Sequence, residues 1–171
     1  MEVNLQIFGG RGGASSGGGL TSAERKSVSK SLDDINIPSM QSFNLPKLQG
    51  TPNQVAWANE IRRDVLPEIA HYAQTRNSDG KPTGVASIMA KGKKAMIDDI
   101  NNNPLVRSTS GAVRKQKIQN AVDSYRDMAR RIDVVQQIAS HTSAKYWIDR
   151  RRNSTLNHQL QRWKKAVDGK L

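Results

Sequence analysis

From residue 51 onward, apolar positions recur every three or four residues, the period of a helix that buries one face. Val55, Ala58, Ile61, Val65, Ile69 and Tyr72 form the first such stripe. Thr51 is placed to cap it, Pro52 suits the first helical position, and Gln54 completes a capping box. Pro67 falls inside the stripe and should kink or split the helix, because it removes a donor and clashes with the preceding turn. Asn77-Ser78-Asp79-Gly80 ends this element. A second helix is expected from near Thr83, with Val85, Ile88, Met89, Met96 and Ile100 on one face, stopping at Asn101-Asn102-Asn103-Pro104. The third follows Ser108-Thr109-Ser110 and is the longest, with an apolar stripe from Val113 through Val122, Tyr125, Met128, Ile132 and Val135 to Ile138. About 30 residues at the helical rise make a rod roughly 45 Å long. Beyond His141-Thr142-Ser143 a short fourth helix carries Ala144, Tyr146, Trp147 and Ile148. Beyond Asn153-Ser154 a fifth presents Leu156, Leu160, Trp163 and Val167. Trp147 and Trp163 lie on the apolar period and read as core residues. The pattern predicts an all-α domain over residues 51–171, a helical bundle of about five helices.

The first fifty residues differ in kind. Val3, Leu5 and Ile7 alternate with polar residues as in a strand, but so short a strand needs a partner. Residues 9–19 hold seven glycines and nothing aliphatic larger than Ala14. Such a run loses much backbone entropy on ordering and has little to bury. Residues 21–32 could form a turn or two of helix, starting from Thr21 or Ser22. Pro38, Pro46 and Pro52 then argue for irregular, extended chain. Residues 1–50 are therefore expected to be a flexible, disordered Gly/Ser/Pro-rich segment.

Charge changes the picture. The 171 residues hold 27 Lys and Arg against 15 Asp and Glu, a net +12. Residues 107–140 carry seven basic and three acidic groups and residues 141–171 eight and two, so the last 65 residues supply +10 of it. An excess of that density favours a polyanionic partner. The candidate nucleic-acid-binding residues are Arg114, Lys115, Lys117, Arg126, Arg130 and Arg131 on the long helix. Arg150, Arg151 and Arg152 follow as a block, then Arg162, Lys164 and Lys165 on the last helix. Arginine suits bidentate phosphate contact. The alternative is that these are simply solvated helix faces.

Other chemistry is excluded by what the chain lacks. It has no Cys, hence no disulfide, thiol nucleophile or cysteine-held metal. His71, His141 and His158 are far apart and form no metal motif. Asp33-Asp34 and Asp98-Asp99 are adjacent pairs, which point about 100° apart on a helix and make no catalytic dyad. The glycine run lacks the Gly-Lys-Ser/Thr ending of a phosphate-binding loop. The expectation is a binding protein without catalytic residues, metal or cofactor. No apolar run of about 18 residues occurs and the start lacks a signal-peptide pattern, so no membrane partner is expected.

Two segments resemble known groups. MEVNLQIFGGRGGASSGG (residues 1–18) is similar to the NLQFF-type start, followed by a GGRG-Ser-Gly run, of tailed-phage head-region and neighbouring proteins, with Ile7 in place of the usual aromatic. GTPNQVAWANEIR (residues 50–62) with AKYWIDRR (residues 144–151) resembles a small helical module of phages and integrative elements. Gly50, Thr51, Gln54, Trp57, Ala58, Ile61 and Arg62 match its first half. Ala144, Trp147, Ile148, Asp149 and Arg151 match its second, and Pro52-Asn53 stand where a charged pair is commoner. That resemblance implies a mobile-element origin and packing of the first helix on the fourth, with Trp57 and Trp147 in the seam. The combined expectation is a phage or mobile-element accessory protein in the cytoplasm of a bacterial host. Its partner would be nucleic acid or a nucleoprotein, such as a CRISPR effector with guide RNA that it inhibits. The alternative is a virion-assembly or DNA-packaging protein.

Overall fold

The computed structural model describes residues 18–35, 45–151 and 156–170. Among these residues the protein is all-α, with eight helices rather than about five. They are α1 (Ser22–Ser31), α2 (Pro52–Thr75), α3 (Val85–Met89), α4 (Lys93–Asn102), α5 (Pro104–Arg107), α6 (Gly111–Ala139), α7 (Ala144–Arg151) and α8 (Leu156–Val167).

The rod α6 organises everything else. Its 29 residues span about 44 Å and its apolar stripe serves two cores in succession. Val122, Tyr125, Met128 and Ile132 pack with Val28 of α1 and Leu32 that caps it, Met89 of α3, Met96 and Ile100 of α4, and Val106 of α5. Further along, Val135, Ile138 and Ala139 pack with Ile61, Val65 and Ile69 of α2, Trp147 of α7, and Trp163 and Val167 of α8. Tyr125 is buried but not orphaned, since its hydroxyl donates to Asp99 at 2.7 Å. Burial and that carboxylate push its phenol pKa far up.

α2 begins as its residues dictate. The Gln54 N–H donates to the Thr51 hydroxyl and the Thr51 N–H to the Gln54 side chain, with Pro52 in the first turn. The helix runs without a break through Pro67, which sits on the exposed face. There the Arg63 carbonyl that lost its donor can meet water. The packing expected between this helix and α7 is present and close. Gln49 clips the two together: its N–H donates to the Thr142 carbonyl at 2.7 Å and its carbonyl accepts from the Ala144 N–H at 2.9 Å. Gly50 follows at φ +155°, where a Cβ would lie 3.0 Å from that of Ala144.

Three expectations need correction. The segment 1–50 is not uniformly a loose tail. Residues 1–17 and 36–44 lie outside the described residues, but Leu20, Val28, Leu32, Ile35 and Leu48 are buried in the two cores. α1 has its own capping box, Thr21 with Glu24, and a helix this short is held by tertiary packing. The second helix is broken, because Gly92 adopts φ +90° between α3 and α4. Finally, Trp57 is 42% exposed and does not fill the α2–α7 seam, whereas Trp147 is fully buried there.

Two predictions follow from this packing. Trp147→Ala should cost about 3–5 kcal/mol in chemical unfolding, and Trp57→Ala only about 1–2 kcal/mol. Equal losses would place Trp57 in the core after all. Arg131, fully buried, is ion-paired with Asp168, so Asp168→Asn should destabilise by about 3–5 kcal/mol by leaving that charge uncompensated. Replacing both by apolar residues, Arg131→Met with Asp168→Leu, should recover only part of the loss in the same assay, because the Tyr72 hydroxyl and the Tyr72 and Ala73 carbonyls lose their partners. A wild-type midpoint for Asp168→Asn alone would mean that backbone carbonyls suffice.

Candidate functional site

The basic residues singled out in the sequence do not converge on one surface. Arg131 lies inside the protein, paired with Asp168 and donating long hydrogen bonds to the Tyr72 and Ala73 carbonyls at 3.4 and 3.5 Å. Arg114 is 11% exposed in its side chain. It donates to Glu24 at 2.8 Å and to the carbonyls of Gly19 and Val106 at 2.9 and 2.8 Å. Burial by itself raises the Glu24 pKa. The hydrogen bonds from Arg114 and Thr21 outweigh it and hold the carboxyl below its ordinary value. Arg114 and Arg131 are therefore structural, and neither is available to a phosphate.

The remaining candidates on α6 are also engaged or dispersed. Arg126 pairs with Asp123 at 3.2 Å and donates to the Ser31 carbonyl, while Arg130 pairs with Asp127 at 3.0 Å. Lys115 is exposed beside α1. Lys117, nine residues before Arg126, lies on the opposite side of the rod. On α8, Lys164 turns its ammonium toward the Tyr72 ring, 5.2 Å away, and Lys165 is exposed. Arg151 is half-buried and Arg152 lies outside the described residues.

What the fold does bring together is Arg150 and Arg162. Both line a groove of about 420 Å³ between the end of α6, α7 and α8. Buried Ile138 and Trp163 form its floor, half-buried Val134 and Ala166 its sides, and exposed Gln137 and His141 its rim. No carboxylate lines it. Neither arginine makes an ion pair among the described residues, whereas neighbouring Lys145 is paired with Asp149.

Tyr146 holds the groove in shape. The His141 ring stacks on it at 3.6 Å with 21° between planes, and the Arg150 guanidinium also lies 3.6 Å from its centroid. Two groups at contact distance from one ring must occupy opposite faces. His141 is fixed in turn because its carbonyl accepts from the Trp147 indole N–H at 3.2 Å. Burial, and then the positive charge of Arg150, lower the His141 pKa.

Sequence reasoning missed His141 and Tyr146 as site residues, although Arg150 four positions after Tyr146 was a legible cation–π pair. It also missed a second basic patch between α1 and α4, where Arg25, Lys26, Lys30, Lys93 and Lys94 surround Asp33 and Asp98. Lys93 pairs with Asp33, and Lys94 and Arg25 share Asp98 at 2.7 and 3.9 Å, so the two carboxylates offset only part of the charge and the patch stays net positive. Among the described residues, no group of three His, Asp or Glu side chains is placed to hold a metal, and no helix is long and apolar enough to cross a membrane. Comparison with known protein families, curated proteins and solved structures finds no match to this chain.

The groove should respond to acid. With its pKa lowered, His141 is neutral near pH 7 and charges only as pH falls below the ordinary histidine range. Free protein should therefore lose some stability in that window, because the unfolded chain takes up the proton first. Affinity for a polyphosphate should rise over the same window, as a third positive charge joins Arg150 and Arg162. Titrating wild type and His141→Gln with tripolyphosphate by calorimetry checks this. Parallel pH profiles would remove His141 from the site.

Proposed function

We propose that this protein is a non-enzymatic binder of nucleic acid or of a nucleoprotein, acting through the α6–α7–α8 groove. The observation that carries the reading is that Arg150 and Arg162 line one groove that no carboxylate lines. Elsewhere on the molecule the arginines of α6 are matched by Glu24, Asp123, Asp127 and Asp168. Two guanidinium groups in one groove without a carboxylate fit phosphate oxygens better than any neutral ligand. The Tyr146 faces are already covered by His141 and Arg150, so the ring is not a free platform for base stacking. Recognition here is of phosphate first, without a base sequence.

The two resemblances in the sequence supply the setting we propose: a phage or mobile-element accessory protein in the cytoplasm of a bacterial host. There it would act in counter-defence by occupying the RNA or the nucleic-acid channel of a nuclease effector such as a CRISPR ribonucleoprotein. The NLQIF-type start is the observation that favours a second reading, virion assembly or DNA packaging, in which the same groove would meet packaged DNA.

Arg150→Gln with Arg162→Gln is the direct test, since both side chains are at the surface and the fold should survive. Affinity should fall for every nucleic-acid sequence tried. The slope of log K against log salt should flatten by about 1.4 units on a single strand or about 1.8 on a duplex, as two phosphate contacts vanish. The same pair of substitutions at Arg126 and Arg130, which are matched by aspartates, should change the slope much less. Unchanged affinity and slope in a double variant that melts normally would refute the reading.

A further inference from the structure

The groove has more in it than two cations. Ile138, Trp163, Val134 and Ala166 give it an apolar floor and sides, broken only by the buried amide of Gln159, which donates to the Arg151 carbonyl at 3.4 Å; Arg150 lies over one part of the Trp163 ring, 5.4 Å from its centroid. A site built for duplex phosphates has no use for such a floor, because a duplex keeps its bases stacked inside and offers only its sugar–phosphate ridge. An unpaired strand is different: each nucleotide joins an anion to a flat, largely apolar ring that can be turned away from its neighbours. The volume, about 420 Å³, lies at the small end of the range for organic ligands. That is room for one nucleotide and not for a stack.

Resting on the nucleic-acid reading above, we infer that the groove is a single-nucleotide pocket that selects single strands over duplexes. The phosphate sits between Arg150 and Arg162, and the base lies on Ile138 and the edge of Trp163 between Val134 and Ala166. Arg150 is held flat against Tyr146, so one half of the phosphate claw is positioned before the ligand arrives. Arg162, exposed on α8, supplies the second cation. Most of the contact is apolar and tolerates any base, and the Gln159 amide is turned to the Arg151 carbonyl, so the preference is for unpaired strand first and for sequence only weakly.

The experiment compares binding of a dye-labelled oligothymidine with binding of the same strand annealed to its complement, at one salt concentration, by fluorescence anisotropy. Wild type should bind the single strand at least about tenfold more tightly. Thymidine 5′-monophosphate should displace that strand at a concentration about tenfold below inorganic phosphate, since only the nucleotide reaches the floor. Ala166→Leu, which fills the groove from the side, should remove the single-strand preference and leave weak duplex binding in place. Thermal melting reports whether that variant is folded. If it is not, the mononucleotide competition with wild type still decides. Equal affinity for strand and duplex, or phosphate competing as well as the nucleotide, would overturn the pocket while leaving a phosphate-binding surface. Polyglutamate displacing the strand as readily as oligothymidine would overturn nucleotide selection. No binding of either form by wild type would sink the nucleic-acid reading itself.

Discussion

Arginines donated from one helix to the carboxyl end of another hold this protein together. Arg62 of α2 reaches the carbonyl of Ala139, the last residue of α6, at 2.8 Å. Arg131 of α6 reaches the carbonyls of Tyr72 and Ala73 in the last turn of α2. The exchange is reciprocal, and it is possible only because the two helices run antiparallel. Arg114 does the same for Val106 in α5, and Arg126 for Ser31 at the end of α1. The last four carbonyls of a helix have no internal partner, and the aligned peptide dipoles leave about half a negative charge there. A guanidinium answers both needs at once. Arg62 depends on this most, because it is buried with the Pro46 and Ala139 carbonyls and no carboxylate, and burial lowers its pKa. Its Nε has no partner among the described residues.

This use of arginine decides where free charge remains. A count along the chain places net +4 in residues 107–140, yet Arg114 and Arg131 are internal and Arg126 and Arg130 face aspartates. An isolated pair on a solvated helix face adds little stability, but it does cancel the field that a polyanion would feel. Of the positive excess that stays available, part lies at the α7–α8 corner, where Lys145 is matched by Asp149 and Arg150 and Arg162 make no ion pair among the described residues, and part in the α1–α4 patch. A linear tally of charge cannot distinguish an arginine that caps a helix in the core from one at the surface.

Much of the fold was nonetheless legible. Caps and apolar period located α2, α6, α7 and α8, and the Thr51–Gln54 box is built as its residues require. The docking of α1 was legible in part: Thr21 and Glu24 form a box, and Val28, Leu32 and Ile35 are spaced by four and three. Its partners lie on α4 and α6, some seventy or more residues away, which local pattern cannot supply. The break at Gly92 escaped for a different reason. Met89 and Met96 are seven residues apart, so an unbroken helix would bury both equally well. The structural arginines did leave a signal. Arg131 is three residues past Met128 and four before Val135, and Arg62 is four past Ala58 and seven before Ile69, both squarely on the buried period. A charged residue on an apolar stripe with room for no solvent is better read as a cap or buried pair than as a binding residue. That Arg150 and Arg162 line one groove was not legible, because it depends on how α8 packs against α6 and α7.

Core and groove are mechanically one object. From the buried guanidinium of Arg62 the Trp147 ring is 5.4 Å away, Trp163 lies 5.8 Å beyond that, Tyr146 a further 5.9 Å, and Arg150 rests on Tyr146 at 3.6 Å. Each contact fixes the plane of the next ring, so the orientation of Arg150 at the surface is set by packing that begins inside α2. An arginine free to rotate would lose that freedom on binding, and the loss would weaken every phosphate contact it made. Here the ordering is done by folding, at the expense of the Tyr146 faces, which His141 and Arg150 occupy. The same arrangement that readies the groove for an anion therefore removes the ring that could have read a base. On the proposed reading, what is left for a base is the side of the groove formed by Val134, Ile138, Ala166 and the edge of Trp163, a surface that discriminates mainly by shape and hydration.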